Sequence, residues 1–361
     1  MQIMRRKALL LCTLIACLSC IAQTGNLTKD MSYIFNNNIP LQGRVLQTPV
    51  SSDIRLVNQM VIDHDMLYTS FSKRSNSSHD FLFSFKIDTI GNRLNLPKEY
   101  FKNKGNYYQI YYPRLFYGNN DSLRVVDYTG GNIYSIMENG KGKLSKDYLV
   151  ASSRIRIPFP LTYYSADVYY LEPHKYLFIG RKADGPYEVL TARRFKDSLE
   201  IKEVRPLFVE KSHSIWDINQ GSLVYNPTLR RCCYSYWMFP VIQLFDTDKP
   251  NEVVTLEFQD KQKTPKINIG ADIWDRNITY FYKMVASKKY IYALYHGEKY
   301  QYAMRKSQTG HFFSYIVKMD WNGNVVNTFK VNKYLQCIGV DNEDRFLIAF
   351  DGNNFLYFTH P

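Results

Sequence analysis

The chain's 361 residues exceed the usual size of a single hydrophobic core, a limit that a closed repeat fold evades because each unit packs only on its neighbours. Lys and Arg outnumber Asp and Glu by 46 to 33, for a net charge of +13, and beyond the amino terminus no stretch offers the roughly 18 uncharged apolar residues of a membrane-spanning helix. The 30 Tyr and 22 Phe are strand formers with amphipathic bodies and point to an all-β chain.

The first 22 residues read as an export signal: Arg5, Arg6 and Lys7 precede the apolar run ALLLCTLIACLSCIA, which is too short to span a bilayer. Two endings compete. Leu14-Ile15-Ala16-Cys17 and Leu18-Ser19-Cys20 each resemble a bacterial lipobox, with Cys20 favoured over Cys17 as the lipidated residue, whereas Cys20-Ile21-Ala22 before Gln23 resembles an ordinary signal-peptidase site. Export makes nucleic acid an unexpected partner. The positive excess instead suits an anionic lipid headgroup, an acidic glycan or an acidic envelope protein, unless it merely keeps a solvated surface soluble.

Residues 23–361 are expected to form one domain of six four-stranded units, the blades of a β-propeller. Blade one covers residues 54–96, blade two 110–150 and blade three about 161–207. The punctuation is clearest in blade four, residues 221–258: LVYN, CCYSYW, VIQLFD and VVTLEF are separated by turns at Asn226-Pro227, Met238 to Pro240 and Asp248 to Pro250. Its adjacent Cys232 and Cys233 should point to opposite faces of their strand, and with Cys337 they are expected to be buried thiols outside any disulfide. Blade five carries the insertion EKYQYAMRKSQTGHF and a tight hairpin at Asp320-Trp321-Asn322-Gly323-Asn324. Blade six, residues 334–361, is one strand short, and IPLQGRVLQ at residues 39–47 is expected to complete it, joining the two ends of the ring. Almost no helix is expected.

YNPTLRRCCYSYWMFPVIQLFD, YIYALYHGEKY, IVKMDWNGNVVNTFKVN and IGVDNEDRFLIAF together resemble the TolB-like six-bladed propeller lipoproteins of Gram-negative anaerobes, over essentially the whole mature chain. The resemblance implies a lipid-anchored protein of the outer membrane or periplasm and supplies no catalytic residues. It departs from the pattern at Cys17, where a lipobox ending at Cys20 would carry Leu or Val.

No metal site or cofactor is expected, because His64, His79, His174, His213, His296, His311 and His360 lie in separate units without ligand spacing and read as loop histidines. Gly140 to Lys143 and Asp341 to Asp344 read as turns rather than phosphate or calcium loops. Asp88-Thr89-Ile90, Asp121-Ser122-Leu123 and Asp197-Ser198-Leu199 resemble short bacterial O-glycosylation acceptors but serve equally as turns. The long inter-blade connections and the second turns of the blades share one end of the ring, rich in rings and guanidinium groups: Tyr107, Tyr108, Tyr111, Arg154, Arg156, Arg181, His213, Trp216, Asp217, Asp272, Trp274, Tyr300 and Arg305. That end is the expected face for a sugar, a carboxylate ligand or a protein partner, if its rings do more than cap the mouth of the ring. The expectation is a monomeric, non-catalytic binding or scaffold protein. The alternative is a hydrolase or lyase that brings Asp217, Asp272 or Asp275 to His213 in three dimensions.

Overall fold

The computed structural model describes residues 25–49, 53–73, 80–100, 113–117, 123–127, 132–136, 142–148, 168–181, 187–195, 198–207, 218–259, 267–268 and 273–359. Blade four consists of β16 (Gly221–Asn226), β17 (Arg231–Tyr236), β18 (Val241–Asp246) and β19 (Val253–Gln259), paired antiparallel in that order. Every residue of β16 is buried, because an inner strand is covered on both faces by the neighbouring blades. The adjacent cysteines show how. Cys232 packs with Leu177 and Ile179 of blade three, and Cys233 packs with Ile291 and Ala293 of blade five. Both thiols are free, and burial raises both well above the usual thiol range.

The other blades repeat this order. Blade one is β4 (Ile54–Asp63), β5 (Met66–Lys73), β6 (Asp80–Asp88) and β7 (Arg93–Tyr100). Blade two is β8 (Pro113–Tyr117), β9 (Leu123–Asp127), β10 (Asn132–Ile136) and β11 (Gly142–Tyr148). Blade three is β12 (Val168–Glu172), β13 (Lys175–Arg181), β14 (Tyr187–Phe195) and β15 (Ser198–Pro206). Blade five is β20 (Ile278–Ala286), β21 (Tyr290–Lys299), β22 (Ser314–Asp320) and β23 (Val325–Val331). Blade six has β24 (Cys337–Val340), β25 (Phe346–Phe350) and β26 (Phe355–Thr359), and β24 lies against β4 to close a six-bladed β-propeller. The hairpin at Gly323, φ +85°, forms as expected, with Asp320 Oδ1 accepting from the amides of Asn322 and Asn324 at 2.8 and 2.9 Å.

The amino-terminal segment does more than complete blade six. Its β1 (Gly25–Asp30) adds a parallel fifth strand outside β19, and α1 (Met31–Asn36), capped by Asp30, buries Met31 and Ile34 in the core shared by blades four and five. Phe35 stacks on Tyr295 at 4.4 Å. Next, β2 (Ile39–Pro40) pairs parallel with β23, and only β3 (Arg44–Leu46) pairs antiparallel with β26 as the fourth strand of blade six. The expected closing strand of residues 39–47 is therefore shorter, because its first residues belong to blade five. Pro40 is tolerated there on an outer edge, where its missing amide interrupts no ladder. Gly43 then lets the chain pass blade six, since a Cβ there would meet the Phe358 ring at 2.6 Å. Gln47 finally bridges to blade one, donating to Asn92 O at 2.9 Å and accepting from Leu94 N at 2.8 Å. The result is a strap around the outer edges of blades four, five and six that reaches blade one.

Among the described residues two further short helices lie elsewhere. They are α2 (Ile273–Arg276), before blade five, and α3 (Tyr300–Gln308), inside the insertion that the sequence left without helix. The apolar side of α3 turns Ala303 into a small cluster with Phe312 and Tyr334.

Candidate functional site

Six first strands running side by side enclose the axis, and residues of all six line a cavity of about 210 Å³. Its wall is made of Gln59 to Ile62, Leu115 to Tyr117, Val168 to Tyr170, Val224 to Pro227, Lys283 to Lys288, Val340 and Asn342. Asn226, Lys288 and Asn342 stand in turns from first to second strands, so the cavity lies at the end of the ring that carries those turns.

First strands of neighbouring blades are stitched together by side chains that reach across to backbone. The Gln59 amide copies a peptide group, donating to Leu115 O at 2.9 Å and accepting from Leu115 N at 2.7 Å. Tyr117 donates back to Ile62 O at 3.1 Å, and Tyr169 donates to Leu223 O at 2.7 Å. Ser222 Oγ accepts from Met284 N at 3.2 Å, and Asn226 Nδ2 donates to Lys288 O at 2.9 Å. These polar groups are thus committed to the framework and are not available to a ligand at no cost.

Lys283 differs. It follows a break in register within β20, between Phe281 and Lys283, just as Gln59 follows one in β4, between Val57 and Gln59. A bulge of this kind re-aims the next side chain. At Gln59 the re-aimed group bridges to blade two, whereas the Lys283 ammonium forms no ion pair among the described residues. Among the described residues no Asp, Glu or His belongs to the lining, and Lys283 and Lys288 give the described wall a positive character. Tyr225, nearly buried in the wall, has its phenol pushed up to about 12, chiefly by burial, and stays protonated. Such a wall offers ring faces, a phenol and two ammonium groups, Lys283 and Lys288, that form no ion pair among the described residues, a set that suits a small organic anion.

Of the residues put forward from the sequence for the binding face, the four that are described, Arg181, Trp274, Tyr300 and Arg305, do not line this cavity. Tyr107, Tyr108, Tyr111, Arg154, Arg156, His213, Trp216, Asp217 and Asp272 lie outside the described residues, as do Cys17 and Cys20. Arg181 ends β13 and Trp274 lies in α2, at the other end of the ring. There the structure does bring α2 to α3, which carries Tyr300 and Arg305: Gln301 Nε2 donates to Asp275 Oδ2 at 2.6 Å. The signal that could have found Lys283 is a single cation inside the apolar run Tyr280 to Ala286.

His296 corrects the expectation of loop histidines. It ends the apolar part of β21, buried between Tyr282 at 5.3 Å, Tyr334 at 4.7 Å and Phe312 at 5.8 Å between centroids, with Nε2 donating to Leu335 O at 2.9 Å. Burial lowers its pKa to about 4, so the ring is neutral. His64 and His174, in contrast, occupy turns at positive φ, and His311 is exposed. Among the described residues no group of three or more His, Cys, Asp or Glu is placed to hold a metal, and no helix is long and apolar enough to cross a membrane. The turn at Asp341 is held by its own carboxylate, which accepts from Arg345 N at 2.6 Å, Arg345 Nε at 2.7 Å and Phe346 N at 3.1 Å.

Among solved structures, a member of the DUF4221 family from Bacteroides vulgatus is similar over 90% of this chain and 98% of its own, with a TM-score of 0.57 at 14% identity. A protein described as exported, from Bacteroides fragilis, covers 92% of this chain and 98% of its own at 11% identity and a TM-score of 0.47. A catalytically inactive virginiamycin B lyase from Staphylococcus aureus, crystallised with quinupristin, covers 88% and 98% at 11% identity and a TM-score of 0.44. At these identities the first likeness speaks for the fold alone, and the other two are too distant to add to it. No family model matches the chain, and no curated protein matches it.

Proposed function

We propose that this protein is an exported, lipid-anchored propeller of the TolB-like kind that binds a small organic anion, such as an acidic monosaccharide, in its axial cavity without transforming it. The observation that carries this reading is the Lys283 ammonium, which forms no ion pair among the described residues, in a wall that includes Tyr117, Tyr169, Tyr170 and Tyr225 and whose described residues hold no carboxylate. Its described residues include no imidazole either, which favours binding over general acid and base chemistry. Asp275, one of the carboxylates expected to serve an enzyme, is engaged by Gln301 at the other end of the ring.

The test is isothermal titration of the mature chain with glucuronate, at low and high salt. Lys283→Gln should weaken binding by more than about tenfold, the loss of one charge-assisted contact, and high salt should weaken the native protein more than the variant. Arg154→Ala and Trp216→Ala, at the expected opposite face, should bind normally. Loss of binding in those two with normal binding by Lys283→Gln would move the ligand to the inter-blade connections and overturn the cavity reading, and so would no binding of glucuronate by the native chain.

A further inference from the structure

The strap fixes where a lipid tether must leave the ring. Because β1 runs parallel to β19, Gly25 lies beside Val254 at the start of that strand and next to the turn of residues 247–252. This turn is joined to the first turn of the same blade by Arg230, whose guanidinium pairs with Asp248 at 2.7 Å, and that turn begins at the cavity wall with Asn226 and Pro227. The tether and the cavity mouth therefore share one end of the propeller. Only residues 21–24 separate Gly25 from Cys20. Fully extended, that link spans about 18 Å, and one from Cys17 about 28 Å.

We infer that the cavity end of the ring is held facing the bilayer, with the exposed turns of blades four and five resting on an anionic lipid surface. Leu229 stands at the tip of the blade-four turn and is 51% exposed, a side chain suited to the interfacial region. Beside it are the exposed Lys288 and Lys289. Of the other charges in this sector, Arg230 pairs with Asp248 and Lys249 with Glu252, and the Asp320 carboxylate is engaged by the amides of its own turn, whereas no ion pair engages Lys288 or Lys289 among the described residues. A tether alone would let the ring swing; one apolar contact and two unmatched lysines near anionic headgroups bias it to one pose. The inference rests on lipidation at Cys20 or Cys17, but not on what the cavity binds.

The experiment uses the lipidated full chain in vesicles of phosphatidylethanolamine and phosphatidylglycerol that contain a headgroup-quenching lipid. A fluorophore is placed at Thr228→Cys on the cavity end or at Thr309→Cys, after α3, on the other end. Cys232, Cys233 and Cys337 are buried and stay unlabelled. Detergent partitioning, lost in the Cys17→Ala, Cys20→Ala double variant, establishes the anchor first. The expected result is quenching at 228 at least twice that at 309, reduced toward parity by Leu229→Ser with Lys288→Gln and Lys289→Gln while partitioning persists. A chain that partitions but is quenched equally at both positions, or more at 309, overturns the orientation and leaves the anchor standing. A chain that does not partition overturns both, and the glucuronate titration is independent of either outcome.

Discussion

His296 is a neutral imidazole that the fold holds at a pKa of about 4, against about 6.5 for an exposed one. Between these values the unfolded chain binds a proton that the folded chain refuses, so stability is complete above about pH 6.5 and declines as pH falls toward 4. The full difference is on the order of 3 kcal/mol. His296→Gln, which can still donate to Leu335 O, should flatten that part of the curve, and denaturant unfolding of both proteins from pH 7 to pH 4 measures it; parallel curves would mean that the ring titrates normally. Asp341 is a second sensitive residue, almost fully buried and accepting three hydrogen bonds within its own turn. Asp341→Ala should cost about 2–4 kcal/mol by leaving the buried Phe346 amide and the part-buried Arg345 amide unpaired, read as a lower urea midpoint at unchanged slope. The sequence marked residues 341–344 as a turn, because Asp and Asn there bind their own backbone. It could not mark His296, since a histidine at the end of an apolar strand has the same pattern whether its ring lies in the core or outside.

At the scale of elements, the strap is the least legible part of the chain and the easiest to disturb. GNLTKD has neither strand alternation nor β-branched enrichment, and a parallel strand laid on an outer edge needs neither, because its hydrogen bonds come from the edge it covers. The inner strands were legible for the opposite reason: each must be apolar on faces met by two neighbours, as Cys232 and Cys233 are. The missing fourth strand of blade six was also legible as a deficit, and β3 fills it, with Leu46 buried among Phe83, Phe85 and Phe355. Leu46→Ala should cost about 2–5 kcal/mol. Met31→Asp with Ile34→Asp should free the strap while leaving β3 in place, and amide exchange should then accelerate in β19 and β23 but not in β26. If β26 exchanges as fast, the strap and the closing strand form one cooperative unit.

Across the whole molecule, the cavity escapes sequence reading because its wall collects a few residues from the first strand and turn of each of six blades, more than fifty residues apart, and only closure of the ring assembles them. Closure depends on both termini, so removing residues 355–361 should abolish a single cooperative thermal transition and expose β25 as an open edge; calorimetry and light scattering report both effects. The same arrangement dictates an order in time. The strap leaves the ribosome before the blades it binds, since its partners β19, β23 and β26 are made more than about 200 residues later, with Leu46 meeting Phe355 across about 300 residues. No amino-terminal portion can reach the native state while the rest is still being made, and contacts so distant in sequence form slowly once it is complete. Under the export proposed above, a chain of this topology would stay unfolded while it threads a narrow channel, and its last blade would be sealed only after its final strand has passed through.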